Sequence, residues 1–363
     1  MRIIISAGGT GGHIYPAIAI INKIKHEDKN AKILYIGTTD RMEKDIIPKL
    51  GIDYIGIKMQ GLNRKNIFKN VTVLNTYFKA IRKAKEIIKQ FKPDVVIGVG
   101  GYITAPVINA AHKLGYKTLI HEQNAILGVS NKLMLKKVDR LCISLKETIN
   151  YIDNKYKDKV VYTGNPRSEE IAKITKTEKT KYGFKKNKKL VIIVMGSLGS
   201  TTMTIKLKEL IPEFKDKDYQ VLLITGNNYY DEYKNLDHTD NVVIVPYLED
   251  LINVMKDADL IISRAGASTI AEITAIGLPS ILVPSPYVTN DHQLKNAKEL
   301  EKNNASKIIE EKDFDKEIVL KTIDEVLNNN ALYKEMQQNA LKLGNTDSAT
   351  RIYEEIIKLK EGK

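Results

Sequence analysis

Short apolar runs alternate along this chain with longer segments whose apolar residues recur every three to four positions. In the first half the runs predict strands at 2–6, 32–37, 94–99, 117–121, 140–144 and 159–162. In the second half they predict strands at 190–195, 219–225, 241–245, 260–263, 280–283 and 306–309. Helical periodicity fills most of the gaps, for example at 76–90 and 105–113. Strands that alternate with helices imply a parallel sheet covered on both faces. The expected fold is therefore α/β, with two Rossmann-like doubly wound domains in tandem. In "TGNPRSEEI", Gly164 and Pro166 break both periodicities, which divides the chain into 1–163 and 164–340. Residues 341–363 are expected to form a helix that packs back on the first domain.

Three strands run straight into glycine turns that open helices: "SAGGTGGHIYP" after the first strand, "GVGGYITAP" near residue 100, and "MGSLGS" near residue 197. Glycine suits a backbone that must take positive φ or approach another group closely. Bare amides at a helix N-terminus suit an anion. The P-loop lysine and the G-x-G-x-x-G spacing are both missing. His13 closes the first turn instead, a titratable group at the edge of an anion-handling loop. Each turn alone also has a purely structural reading. Doubly wound sheets bind ligands at the carboxyl ends of their strands, where all three turns lie. If the domains face each other, the turns line one cleft.

Composition narrows the class. With 43% apolar and 28% charged residues the chain reads as globular. Its net charge of +13, from 57 Lys and Arg against 44 Asp and Glu, draws anionic partners. The lysines are scattered, and no recognition helix, RNP motif or aromatic platform appears, so specific nucleic-acid binding is not expected. The single cysteine, Cys142, sits in a buried-looking strand. The chain runs directly into its first glycine turn, so no secretory signal is expected. No segment reaches the ~20 apolar residues of a spanning helix. The triplets Asp216–Asp218 and Asp257–Asp259 lie away from the glycine turns and read as structural, and His26, His112 and His238 lack metal-ligand spacing.

"GGTGGHIYPA", "GVGGY", "HEQN", "TGNP", "GSLGS", "SRAGASTIAEITAIGLPSILVP" and "DHQLKNA" occur together and in this order between residues 2 and 297. As a set they resemble the MurG family within glycosyltransferase family 28. That resemblance implies the two-domain GT-B fold and an inverting, metal-independent transfer without a cofactor. It implies UDP-N-acetylglucosamine as donor, held mainly by the C-terminal domain. It implies lipid I, the lipid-linked muramyl-peptide precursor of peptidoglycan, as acceptor, held mainly by the N-terminal domain. A peripheral place on the cytoplasmic face of the cell membrane follows from the same likeness. Alternatives are a UDP-sugar transferase for another lipid and a UDP-N-acetylglucosamine epimerase.

Carried over residue by residue, the resemblance gives Glu272 to the ribose hydroxyls and Ser197, with the amides around Gly196 and Gly199, to the diphosphate. Met195 and Leu198 stand where the family usually has a second glycine and a glutamine. Leu248 would present main-chain groups to uracil, and His292, Gln293 and Asn124 would contact the donor sugar. Arg264 could serve the phosphates or brace its turn. On the acceptor side, Thr10, Gly11, Gly12 and Tyr102 would shape the pyrophosphate site. Arg167 is a further candidate, although the family commonly places its arginine two residues after the proline, where this chain has Ser168. His13 is the candidate general base and Glu122 its rival. In residues 62–90, Phe68, Val71, Leu74, Phe78 and Ile81 with a basic rim suit either an anionic membrane surface or an amphipathic helix over the sheet.

Overall fold

The computed structural model describes residues 1–61, 70–196, 199–233, 236 and 239–362. Of the positions singled out above, Phe68, Ser197, Leu198 and His238 lie outside the described residues, as does the side chain of Val71. The chain divides into two compact units, Met1–Arg167 with Asp347–Lys363, and Ser168–Thr346.

The first unit runs β1 (Arg2–Ser6), α1 (Gly11–Glu27), β2 (Lys32–Thr38), α2 (Glu43–Lys49), β3 (Asp53–Ile57), α3 (Asn70–Phe91), β4 (Val95–Gly98), α4 (Thr104–Lys113), β5 (Lys117–Glu122), α5 (Val129–Met134), β6 (Arg140–Ile143) and β7 (Val160–Tyr162). The strands form a seven-stranded sheet in the order β3-β2-β1-β4-β5-β6-β7. Its pairs are parallel, with Ile3 opposite both Ile33 and Val95. Period-two alternation feeds two cores. Ile4, Val96 and Ile120 face α3, α4 and α5, whereas Ile3, Ile5, Ile97 and Cys142 face α1.

The second unit follows α6 (Arg167–Lys173) with β8 (Lys189–Val194), α7 (Thr201–Leu210), β9 (Tyr219–Ile224), β10 (Val242–Val245), α8 (Leu251–Met255), β11 (Leu260–Ser263), α9 (Ala267–Ile276), β12 (Ser280–Leu282), α10 (His292–Lys302), β13 (Ser306–Ile308), α11 (Lys316–Asn328) and α12 (Asn330–Leu343). Its six strands lie in the order β10-β9-β8-β11-β12-β13. A final helix, α13 (Ser348–Glu361), places Ile352, Ile356 and Leu359 in the α1-side core of the first unit.

The unit boundaries fall after Arg167 and Thr346, not after 163 and 340. Local contacts explain the difference. The amides of Thr163 and Gly164 both donate to the Ile143 carbonyl, and Ser348 Oγ donates to the Asn165 carbonyl, which holds "TGNP" to the first unit. Gly344 packs so closely on the Thr274 backbone that a Cβ would lie 2.4 Å from its oxygen, which holds the end of α12 to the second. In both sheets the strand order reverses at one place, β1 beside β4 and β8 beside β11, and ligands bind at such switch points.

Candidate active site

The first two glycine turns leave adjacent strands and interlock. The Gly8 amide donates to the Gly100 carbonyl at 3.3 Å. A Cβ on Gly101, at φ +85°, would lie 2.2 Å from the Gly8 oxygen, and one on Gly100 would lie 2.4 Å from His13 Cδ2. No residue with a side chain fits either place. Thr10 is the extended N-cap of α1, so the Gly11 and Gly12 amides stand in its first turn. His13 Nδ1 lies 3.2 Å from the Gly8 carbonyl and 3.4 Å from Thr10 Oγ1. A carbonyl can only accept, so Nδ1 carries the proton and Nε2 is the basic nitrogen of the neutral ring.

Two cations flank this turn. The Arg167 guanidinium lies 5.3 Å from the centroid of the Tyr15 ring, and that ring lies 3.1 Å from where a Cβ of Gly11 would be. Arg167 thus lies one ring away from the first glycine turn. Arg41 Nε donates to the Tyr102 hydroxyl at 3.2 Å, and the Tyr102 ring packs beside Gly9 and Gly61. Neither Arg41 nor Tyr15 stood out in the sequence. Their signal was position, just past the end of β2 and at the start of the second turn of α1.

The "HEQN" motif ends β5 and is mostly scaffold. Glu122, 2% exposed, accepts from the Asn124 amide (3.0 Å) and Asn124 Nδ2 (3.2 Å) at Oε1. At Oε2 it accepts from the Gly128 amide (2.8 Å) and Asn131 Nδ2 (2.9 Å). Both oxygens are thereby occupied, and Asn124 is held in place by the same carboxylate. His121, wholly buried, donates through Nε2 to the Gly164 carbonyl at 3.0 Å and accepts at Nδ1 from Gln123 Nε2 at 3.0 Å.

Burial pushes the His121 pKa down to about 4. Its folded value is below the unfolded one, so between about pH 6.5 and 4 only the unfolded chain takes up the proton. The associated stability is complete above pH 6.5 and is lost as pH falls through that window. Chemical denaturation is expected to show a loss of about 2 kcal/mol between pH 7 and pH 5. A stability that stays flat over that range contradicts the assignment.

In the second unit the third glycine turn follows β8, with Gly196 at φ +101° and Gly199 at φ +77°. Arg264, just past β11, donates through Nη1 to the Val283 carbonyl at 3.2 Å and through Nη2 to Ser200 Oγ at 3.0 Å. Its Nη2 also pairs with Glu311 Oε2 at 2.6 Å, and Thr202 Oγ1 donates to Glu311 Oε1. These are the contacts of a brace between the end of β11 and the start of α7. Glu311, missed in the sequence, balances the charge of Arg264.

Glu272 is half-buried on α9, whose N-cap is Gly266. Leu248 lies half-buried in the loop after β10. His292 opens α10, with Nδ1 on the Thr289 carbonyl at 2.9 Å, and Gln293 Oε1 accepts from the Ser285 amide at 2.8 Å. Asn290 and Asp291, at φ 55° and 50°, are consecutive left-handed residues before that helix, a costly conformation that clusters at functional sites. Asp257 is engaged by Lys176 and the Lys179 amide, and Asp259 by the Leu190 amide and Lys179. Among the described residues no group of three or more His, Cys, Asp or Glu side chains is placed to hold a metal ion.

Residues 3–143 match the glycosyltransferase family 28 N-terminal domain, and residues 190–352 match the glycosyltransferase family 28 C-terminal domain. The chain belongs to glycosyltransferase family 28. Its two Rossmann-like units are the two domains of the family, and it is a glycosyltransferase. Similar family 28 proteins include the UDP-N-acetylglucosamine--N-acetylmuramyl-(pentapeptide) pyrophosphoryl-undecaprenol N-acetylglucosamine transferase of Bacillus cytotoxicus, 43% identical with 98% of each chain covered. The protein of the same description from Bacillus subtilis is 40% identical over 99% of this chain and 100% of its own. A solved structure of Acinetobacter baumannii MurG matches with a TM-score of 0.80 at 28% identity, over 98% of this chain and 99% of that one. The UDP-GlcNAc 2-epimerase of Neisseria meningitidis matches with a TM-score of 0.70 at 17% identity, over 99% and 100%, a likeness of fold alone.

Proposed function

We propose that this enzyme transfers N-acetylglucosamine from UDP-N-acetylglucosamine to the 4-hydroxyl of the muramyl sugar of lipid I, with inversion, giving lipid II. The carrying observation is the near-full-length identity of 40–43% to relatives of that description, a span that includes both switch-point sites. His13 Nε2 takes the hydroxyl proton as the oxygen attacks the anomeric carbon, and the bond from that carbon to the diphosphate breaks to release UDP. The amides of Gly11 and Gly12, with Tyr102, Arg41 and Arg167, receive the acceptor pyrophosphate. The N-termini of α7 and α9 face the developing charge on the diphosphate, which makes an added divalent ion unnecessary. The test is release of UDP with and without a lipid I analogue, in excess EDTA. Acceptor-dependent release is expected. Release that ignores the acceptor favours an epimerase or hydrolase, and complete loss that Mg²⁺ restores overturns the metal-independent reading.

The same reading puts the enzyme at the cytoplasmic face of the cell membrane, as its lipid-linked acceptor requires. No helix of the described residues is long and apolar enough to cross a membrane. Helix α3 has two apolar strips. Val73, Ala80, Ile81, Ala84 and Ile88 are core, whereas Leu74 and Phe78 are 56% and 60% exposed beside Lys79, Arg82 and Lys83. Ile81 therefore belongs to the sheet-covering face. On the same side of the sheet, α5 exposes Val129 and Leu133 beside Lys132 and Lys136. An apolar strip with a cationic rim suits an anionic bilayer surface. Binding to anionic vesicles is expected to fall with added salt, and to fall at least about tenfold in the double variant Leu74→Ser, Phe78→Ser, which removes two apolar anchors. Equal binding to neutral vesicles, or an unaffected double variant, removes this surface from consideration.

A further inference from the structure

Glu43 is a fully buried carboxylate at the start of α2, in a segment, "DRMEKD", that looks like solvated helix surface. Its Oε1 accepts from the Thr38 amide at 3.0 Å and from Thr38 Oγ1 at 2.7 Å. Its Oε2 accepts from the Gly9 amide at 3.2 Å. A Cβ on Gly8 would lie 2.4 Å from Glu43 Oε1. So the carboxylate lies directly beneath the first glycine turn.

The Gly9 amide and the Gly8 carbonyl belong to one peptide group. That peptide is trans, so its N–H and C=O point in opposite directions. On one side Glu43 accepts from the N–H; on the other, the C=O accepts from His13 Nδ1 at 3.2 Å. We propose that Glu43 is a positioning residue that acts on His13 through the Gly8–Gly9 peptide. An anionic acceptor on the N–H draws electron density toward the carbonyl oxygen, and chains of hydrogen bonds polarise one another in this way. The carbonyl then holds the Nδ1 proton more firmly. The imidazole is kept in the tautomer whose lone pair is on Nε2, and Nε2 becomes more basic. Carboxylates that contact a histidine directly fix its tautomer in the same manner; here one peptide group stands between them. The turn is anchored on the same side by Tyr35, whose buried hydroxyl donates to the Ala7 carbonyl at 3.0 Å. Glu43 also takes the Gly9 amide out of the anion site, which leaves phosphate binding to the Gly11 and Gly12 amides.

This inference rests on His13 being the base, and the experiment separates the two. In wild-type enzyme with nitrogen-15-labelled histidine, the His13 ring, assigned by its absence in His13→Ala, is expected to show the proton on Nδ1. In Glu43→Gln, whose amide group cannot serve both Thr38 and Gly9 as acceptor, the ring is expected to become a mixture of tautomers. Its kcat is expected to fall about 10–100-fold, the scale of an outer partner of a working histidine, with the KM for UDP-N-acetylglucosamine within about twofold of wild type. A wild-type ring protonated on Nε2 overturns the relay, and this holds even if Glu43→Gln fails to fold. Unchanged tautomer and kcat in a folded Glu43→Gln enzyme overturn it too, provided His13→Ala is impaired. A His13→Ala enzyme with normal kcat instead removes the base assignment itself.

Discussion

Replacing His13 by alanine is expected to lower kcat by at least about 100-fold, the lower end of what a positioned general base supplies, and to leave the KM for UDP-N-acetylglucosamine near its wild-type value. The muramyl hydroxyl is a poor nucleophile until its proton leaves. Among the candidates in the first unit, His13 presents a ring nitrogen, Nε2, at the edge of the first glycine turn. Its Nδ1 is committed to the Gly8 carbonyl, and its ring rests on Gly100, which must lack a side chain for it to do so. Glu122 cannot offer the same service in this arrangement, because four N–H donors surround its carboxylate. Its replacement by glutamine places an amide NH₂ against N–H donors, and is expected to cost about 1–3 kcal/mol of stability, read as a lower midpoint of unfolding. A His13→Ala enzyme that keeps most of its kcat beside an inactive but stably folded Glu122→Gln enzyme reverses the two roles.

The strand–glycine–helix junctions were legible because two strong signals coincide there, a short apolar run and clustered glycines, of which Gly100, Gly101 and Gly199 sit at positive φ in close quarters. The closeness of the first two turns was not legible, since strand order is fixed by sheet pairing and not by sequence distance. Strand β3 went unnamed: Gly56 interrupts its run, and as an edge strand it is only partly buried. Glu43 and Glu311 were missed for a shared reason. Each lies among other charged residues, in "RMEKD" and "IEEKDFD", where composition suggests solvent. Each is instead buried against a partner far away in sequence, Gly9 or Arg264. Helix α3 shows the limit of periodicity. Phe78 and Ile81, three apart, read as one apolar strip, yet the boundary between core and surface runs between them.

Replacing Glu272 by alanine is expected to weaken UDP binding by about 1.5–3 kcal/mol, the worth of hydrogen bonds to a charged group, or about tenfold to 150-fold in Kd. Its carboxylate stands on α9, the helix that leaves the β8/β11 switch point, half-buried and well past the first amides of that helix. Those amides suit the diphosphate, which carries charge. A ribose brings two hydroxyl donors, and a carboxylate offers the pair of acceptors they need. The helix has anchors other than this side chain. Gly277 closes it in a left-handed cap, and Leu341 and Gly344 pack on its last turns, so the variant is expected to fold normally. Calorimetric titration with UDP and with 2′,3′-dideoxyuridine diphosphate isolates the contact. Wild type is expected to prefer UDP strongly, and Glu272→Ala to bind both about equally. A folded Glu272→Ala enzyme that still discriminates between them moves the ribose contact to another residue.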